Sequence, residues 1–291
     1  MLILSGVSIF SKNATKNCYW PIWNNDMLTD EQKGFFKTFG FLVLRQIFTP
    51  AEINQIRCES DRILRENRLD KPFPGTRRQA MIPFFEHSPA LLWLLEDDRI
   101  YHLGTDLLGP GFILNATEGN LHVGDTHWHG GEPAPEVVAH IKIAFYLEPT
   151  TKESGALRLI PGSNYPQIRH HLQPLIAQQD DPRVQPLGVA GAEIPAYVFE
   201  SEPGDIGVFS EHTWHAAFGG APGRSQHAIN FMANPTTEEQ VAHICKLYKK
   251  MLYSLHPPEV LVNSDRPRLR GLVEKLVRLG FGPPAPTPFF T

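Results

Sequence analysis

Between residues 141 and 232 the chain is a succession of short strand-like segments, each stopped by turn residues, and this punctuation limits the folds open to it. Ile141, Ile143, Phe145 and Leu147 alternate with Lys142, Ala144 and Tyr146. A period of two is what a half-buried strand requires, because successive side chains point to opposite faces. Further strands are expected at 156–160, 196–200, 206–209 and 226–232. Glu153-Ser154-Gly155, Pro161-Gly162-Ser163 and Glu202-Pro203-Gly204-Asp205 separate them. Many short strands with such turns favour a sandwich or barrel over a parallel α/β sheet.

Helices are expected on either side. Thr29-Asp30-Glu31-Gln32 and Thr49-Pro50-Ala51-Glu52 are capping boxes, the second with proline at the first helical position. A short strand at 40–44 lies between the helices they open. Proline and glycine break any period over 73–85, read as a loop, whereas 88–108 reads as helix ending at Gly109-Pro110. The polar, proline-containing stretch 165–193 reads as an insertion, and both it and 73–85 are expected to cover the mouth of a site. Thr236-Thr237-Glu238-Glu239 reads as a third capping box, followed by apolar Val241, Ile244, Leu247 and Leu252, and a last helix is expected over 268–279 before Gly280. No repeat or linker divides the 291 residues. The expectation is one domain, with a helical N-terminal region at about 27–108, a β core at about 112–235 and C-terminal helices at about 236–280.

Composition narrows the function. Charged residues make up 20% and hydrophobic ones 42%, a globular balance. The net charge of −4, with no long basic run, argues against a nucleic-acid partner. No apolar run reaches the ~20 residues of a membrane helix, and the apolar start MLILSGVSIF lacks a basic leader region and is read as a folded segment. Three scattered cysteines, Cys18, Cys58 and Cys245, are in no ligand spacing and suit a reducing cytoplasm. The expected partner is a small-molecule substrate; oligomeric state is not encoded in any visible pattern.

Chemistry-bearing residues concentrate in two histidine-rich turns at strand ends, His122-Val123-Gly124-Asp125-Thr126-His127-Trp128-His129-Gly130-Gly131 and Glu211-His212-Thr213-Trp214-His215. A lone histidine is more often a hydrogen-bonded surface or core residue than a ligand. Two such turns in a β region change the balance, since strands brought together can aim two neutral imidazoles at one metal ion, Fe, Zn, Cu or Ni. Trp128 and Trp214, each next to one of these histidines, should point the other way into packing.

Four blocks in order make the resemblance specific. Thr126-x-Trp128-His129, the strand 141–147, Ser154-Gly155-Ala156-Leu157-Arg158-Leu159-Ile160-Pro161-Gly162-Ser163-Asn164, and Pro203-Gly204-Asp205 with Trp214-His215-Ala216 and Arg224 resemble the phytanoyl-CoA dioxygenase (PhyH) family of Fe(II)/2-oxoglutarate-dependent oxygenases. The resemblance runs over roughly residues 40–234. It implies a double-stranded β-helix, a jelly-roll or cupin-like mainly β core, with flanking helices. It implies Fe(II), 2-oxoglutarate and O2 as cofactors, with His129 and His215 as metal ligands. Arg224 would grip the far carboxylate of 2-oxoglutarate, a role suited to a bidentate, always-charged fork. Lys142 is a second candidate anion partner, its bland alternative a solvent-facing strand lysine.

One position departs from the family. Its pattern is His-x-Asp, and here the third residue is Gly131. The loss opens one coordination position. His-x-Gly resembles the motif of the iron/2-oxoglutarate halogenases, in which chloride fills the vacancy and is transferred to an unactivated C–H carbon. Alternatively Glu132 or Asp125 supplies the acid and the enzyme is a hydroxylase or related oxygenase, or the barrel is a non-catalytic small-molecule binder.

Overall fold

The structure is a computed structural model and describes residues 28–130, 137–250 and 256–283. The apolar start, Gly131, Glu132, Leu252 and the proline-rich tail fall outside these segments.

Both early capping boxes are formed. The Thr29 hydroxyl accepts from Gln32 N–H and the Gln32 side chain accepts from Thr29 N–H at the head of α1 (Asp30–Phe39). Gly40, in the left-handed region at φ 80°, ends that helix and turns the chain into β1 (Phe41–Leu44). Thr49 and Glu52 make the same reciprocal pair ahead of α2 (Pro50–Asn67). Within 73–85 lies a short strand, β2 (Gln79–Met81). The helix expected over 88–108 starts later. One turn of tight helix covers Leu92–Leu95, and α3 (Asp98–Leu108) begins only where the Asp97 carboxylate accepts from Arg99 N–H.

Eight strands follow in two sheets. They are β3 (Ile113–His122), β4 (Thr126–His129), β5 (His140–Phe145), β6 (Leu157–Leu159), β7 (Tyr197–Phe199), β8 (Ile206–Ser210), β9 (His215–Ala217) and β10 (Arg224–Met232). The larger sheet has the order β1-β8-β5-β10-β3-β2 and the smaller β4-β9-β6-β7, every pairing antiparallel. From β3 to β6 and from β7 to β10 the chain changes sheet at each step, the winding of a double-stranded β-helix. Its fold is that mainly β core with flanking helices.

Alternation on the strands separates core from cavity. Ile141, Ile143 and Phe145 of β5 enter a large apolar cluster with α2, α3 and α8 (Pro267–Arg278), while Ala144 and Tyr146 meet Leu157, Leu159 and Phe199 of the smaller sheet. The third capping box sits one residue later than its expected start. Gln240 N–H donates to the Thr237 hydroxyl, and Gln240 Oε1 accepts from Thr237 N–H ahead of α6 (Glu238–Lys250).

The insertion 165–193 lends no residue to the lining of the cavity between the sheets. It carries α4 (Pro166–Leu172) and α5 (Ala177–Asp180) and packs on the outer face of the smaller sheet. Leu172 and Leu175 there, with Ile194 just after it, join a cluster with Trp128, Trp214, Ala216 and Phe218. Trp128 Nε1–H donates to the Gly191 carbonyl (2.8 Å), and the Gln179 amide donates to the Trp128 carbonyl (3.2 Å). The two tryptophans therefore do point away from their neighbouring histidines, and they are what the insertion packs on. The remaining short helix, α7 (Glu259–Val262), packs on α8.

Candidate active site

Pairing of β4 with β9 sets His129 opposite His215. The two rings lie 4.0 Å apart, centroid to centroid. Each is oriented in the same way: Nδ1 lies 2.8 Å from a backbone carbonyl two residues earlier, of His127 and of Thr213. As a donor to that carbonyl, Nδ1 carries the proton, which leaves each Nε2 as the lone-pair atom. Such anchoring fixes both tautomer and ring direction in metal-binding histidines. Burial pushes the His129 pKa down and the His215 pKa well down, the latter also through the neighbouring His129. Both rings are held neutral, the form that ligates a metal.

These histidines line a cavity of about 110 Å³ between the sheets, shared with Arg78, Glu118, His122, Thr126, Lys142 and Arg224 among others. Arg224, at the start of β10, is 7% exposed, yet its Nε and Nη1 have no hydrogen-bond partner among the described residues. The guanidinium lies over the Tyr146 ring at 5.9 Å. Gly155 makes room for it: at φ +90°, a Cβ there would come within 2.5 Å of Arg224 Nη1. Burying a guanidinium with two of its nitrogens unsatisfied is costly. Its natural partner is an anion that enters the cavity. The donor set thus fits the expected cofactors, two lone-pair imidazole nitrogens for a divalent metal and a free fork for a carboxylate.

Lys142 also reaches the cavity, but its ammonium is engaged: Nζ lies 2.9 Å from Glu118 and 3.8 Å from Glu211. Burial opposes the charge on Lys142, and the two carboxylates outweigh it, raising its pKa. Glu118 is held below the usual carboxylate range against its burial by the same ion pair and by the Asn230 amide at 2.9 Å.

Asp125 is used elsewhere, accepting from Gly219 N–H at 2.7 Å. Among the described residues no acid joins the two histidines in a three-ligand group. Glu132 and Gly131 lie outside those residues. Of the residues expected near the mouth, Arg78 lines the cavity, whereas Phe84 and Phe85 are fully buried and pack against His227.

Strand β3 escaped the sequence reading, and with it Glu118, Asn120 and the place of His122. Its inner face is polar where a core strand would be apolar, so its alternation carries no hydrophobic signal. Gln226 of β10 pairs in register with Asn120, and its side chain accepts from the Asn120 amide at 2.8 Å. Polar Glu118, Asn120 and His122 at alternate positions were the available clue.

The region that carries these residues has known relatives. Residues 111–227 match the phytanoyl-CoA dioxygenase (PhyH) family. An ectoine dioxygenase of Bordetella parapertussis is 21% identical over 262 residues, 82% of this chain and 80% of that protein. One from Nocardia farcinica is 25% identical over 153 residues, 46% of this chain and half the length of that relative. Among solved structures, HygX from Streptomyces hygroscopicus with nickel and 2-oxoglutarate bound covers 72% of this chain and 89% of its own, at TM-score 0.58 and 21% identity. The carbocyclase SnoK from nogalamycin biosynthesis, described as non-heme and alpha-ketoglutarate-dependent, covers 76% of this chain and 91% of its own at TM-score 0.53 and 16% identity. The fold is the one these solved structures share, and residues 111–227 are similar to the PhyH family. No helix among the described residues is long and apolar enough to cross a membrane.

Proposed function

We propose that this chain is an Fe(II)/2-oxoglutarate-dependent oxygenase that functionalises an unactivated C–H bond of a small molecule. The observation that carries the reading is the buried Arg224, its Nε and Nη1 unpartnered among the described residues, in the same cavity as two anchored neutral imidazoles. His129 and His215 would hold the metal through Nε2, and Arg224 would bind the far carboxylate of 2-oxoglutarate. Bound iron with 2-oxoglutarate and O2 supplies the oxidising equivalents for C–H cleavage. Lys142 takes the part of a charged backdrop to the co-substrate, its ammonium held in place by Glu118 and Glu211. The two sheets exclude bulk water from the cavity and strengthen each electrostatic contact inside it. If this is right, Arg224→Ala weakens 2-oxoglutarate binding at least about tenfold in anaerobic calorimetry, the worth of a lost charge-assisted pair. An unchanged affinity removes Arg224 from the site.

A second reading rests on Gly131. Where the family pattern has an acid this chain has none, and Asp125 is committed to Gly219. Chloride as the third anionic ligand would make the enzyme a halogenase. Turnover should then depend on chloride, a product bearing bromine should form in bromide, and Gly131→Asp should abolish halogenation. Only hydroxylated product in the presence of halide would assign the enzyme to the hydroxylases.

A further inference from the structure

Arg78 is the charged group at the mouth to which the oxygenase reading assigns no part. It stands on the segment leading into β2 and lines the cavity with His129, His215 and Arg224. Its fork is built into place: Nε and Nη2 both donate to Asn120 Oδ1, at 3.2 and 2.7 Å. Asn120 is fixed in turn by Gln226, and Gln226 Oε1 lies 3.4 Å from His122 Nε2. Nη1 makes no hydrogen bond among the described residues. The only carboxylate within 4.0 Å among them is Glu118, at that limit and already held by Lys142 and Asn230. The side chain is 44% exposed, so a ligand can reach it.

Charge points the same way. Arg78, Lys142 and Arg224 stand against Glu118 in the cavity wall, and Glu211 sits behind Lys142. With His122, His129 and His215 held neutral, these five groups leave one positive charge. A divalent metal adds two and 2-oxoglutarate removes two. With no halide bound, these groups, the metal and the co-substrate together keep one positive charge, and Gly131 adds nothing to offset it.

Resting on the oxygenase reading, we propose that Arg78 is the substrate anchor and that the substrate is a small anionic molecule whose carboxylate pairs with its guanidinium. A fork pinned on one edge by Asn120 presents its other edge to a carboxylate, the geometry at which arginine discriminates best. Such a pair at the mouth holds the substrate by its charged end and leaves the rest of it to extend inward toward the histidines.

The test uses the full chain loaded anaerobically with Fe(II) and 2-oxoglutarate, the loading verified by its visible charge-transfer band. Small carboxylic acids, each paired with its own primary amide, are titrated against this complex by calorimetry. Acids are expected to bind and their amides to bind at least about tenfold more weakly. Arg78→Gln should weaken the acids to the level of the amides, and Arg78→Lys should recover part of the loss. The band itself should survive both variants, since it reports the metal and co-substrate. Amides binding as well as acids, acid affinity indifferent to Arg78→Gln, or no acid binding by a protein that shows the band would each overturn the proposal. Absence of the band in the unaltered protein would instead refute the oxygenase reading on which it rests.

Discussion

Single residues in this chain are placed against their own interests, and those placements locate the site. Arg224 is buried with Nε and Nη1 unpartnered among the described residues, and Gly155 leaves the space it occupies. Gly155→Ala puts a Cβ into that guanidinium at a left-handed φ. It should cost about 1–3 kcal/mol of stability and lower 2-oxoglutarate affinity, read together by denaturant melts with and without the co-substrate. His227 is a different case. It is fully buried, stacked between Phe85 and Phe145, and neither ring nitrogen has a partner among the described residues. Burial pushes its pKa down to about 3. It is outside the cavity lining, so His227→Phe should hold or raise the melting temperature. Replacing an unsatisfied buried polar group by an apolar ring of similar shape removes a penalty of about 1–3 kcal/mol. A clear drop in melting temperature would show a partner that the packing does not reveal.

At the scale of elements, readability in the sequence depended on which face of a strand met the core. Strand β5 was plain because Ile141, Ile143 and Phe145 face apolar helices. Strand β3 was invisible because its inner face is polar: Glu118 and His122 line the cavity, and Asn120 bonds Arg78 and Gln226. The helix caps at Thr29 and Thr49 were readable since a capping box is a local chemical device, and only the third slipped, by one residue, where two threonines compete. The path of 165–193 was not readable at all: composition marks a segment as an insertion but does not say against which face it packs. Its contact with Trp128 and Phe218 makes it a buttress behind β4. Trp128→Phe keeps the aromatic bulk and removes the hydrogen bond to Gly191. It should cost about 1 kcal/mol and loosen 165–193 in hydrogen exchange, with protection of the larger sheet unchanged.

For the whole molecule, the buried histidines make stability depend on pH in one direction. Burial pushes His122 down to about 4, with Arg78 and Arg224 adding to it; His212 falls to about 4 through burial and Arg169; His227 falls to about 3. Each stays neutral in the folded chain and takes up a proton in the unfolded chain below the ordinary value of about 6.5. The unfolded state therefore binds more protons, so their contribution is fully present above about 6.5 and is lost as pH falls toward 4. Each group contributes a slope of up to about 1.4 kcal/mol per pH unit in that window. Denaturant midpoints should fall steadily from pH 7 to pH 5, and a flat profile would contradict this.

The central claim is that His129, His215 and Arg224 together form one site for a divalent iron and 2-oxoglutarate. It is tested most directly by adding both anaerobically to the purified chain and recording the visible spectrum. A metal-to-ligand charge-transfer band should appear in the unaltered protein, vanish in His129→Ala and His215→Ala, and require much more 2-oxoglutarate in Arg224→Ala. A band absent from the unaltered protein, or one that persists when either histidine is removed, would contradict the account.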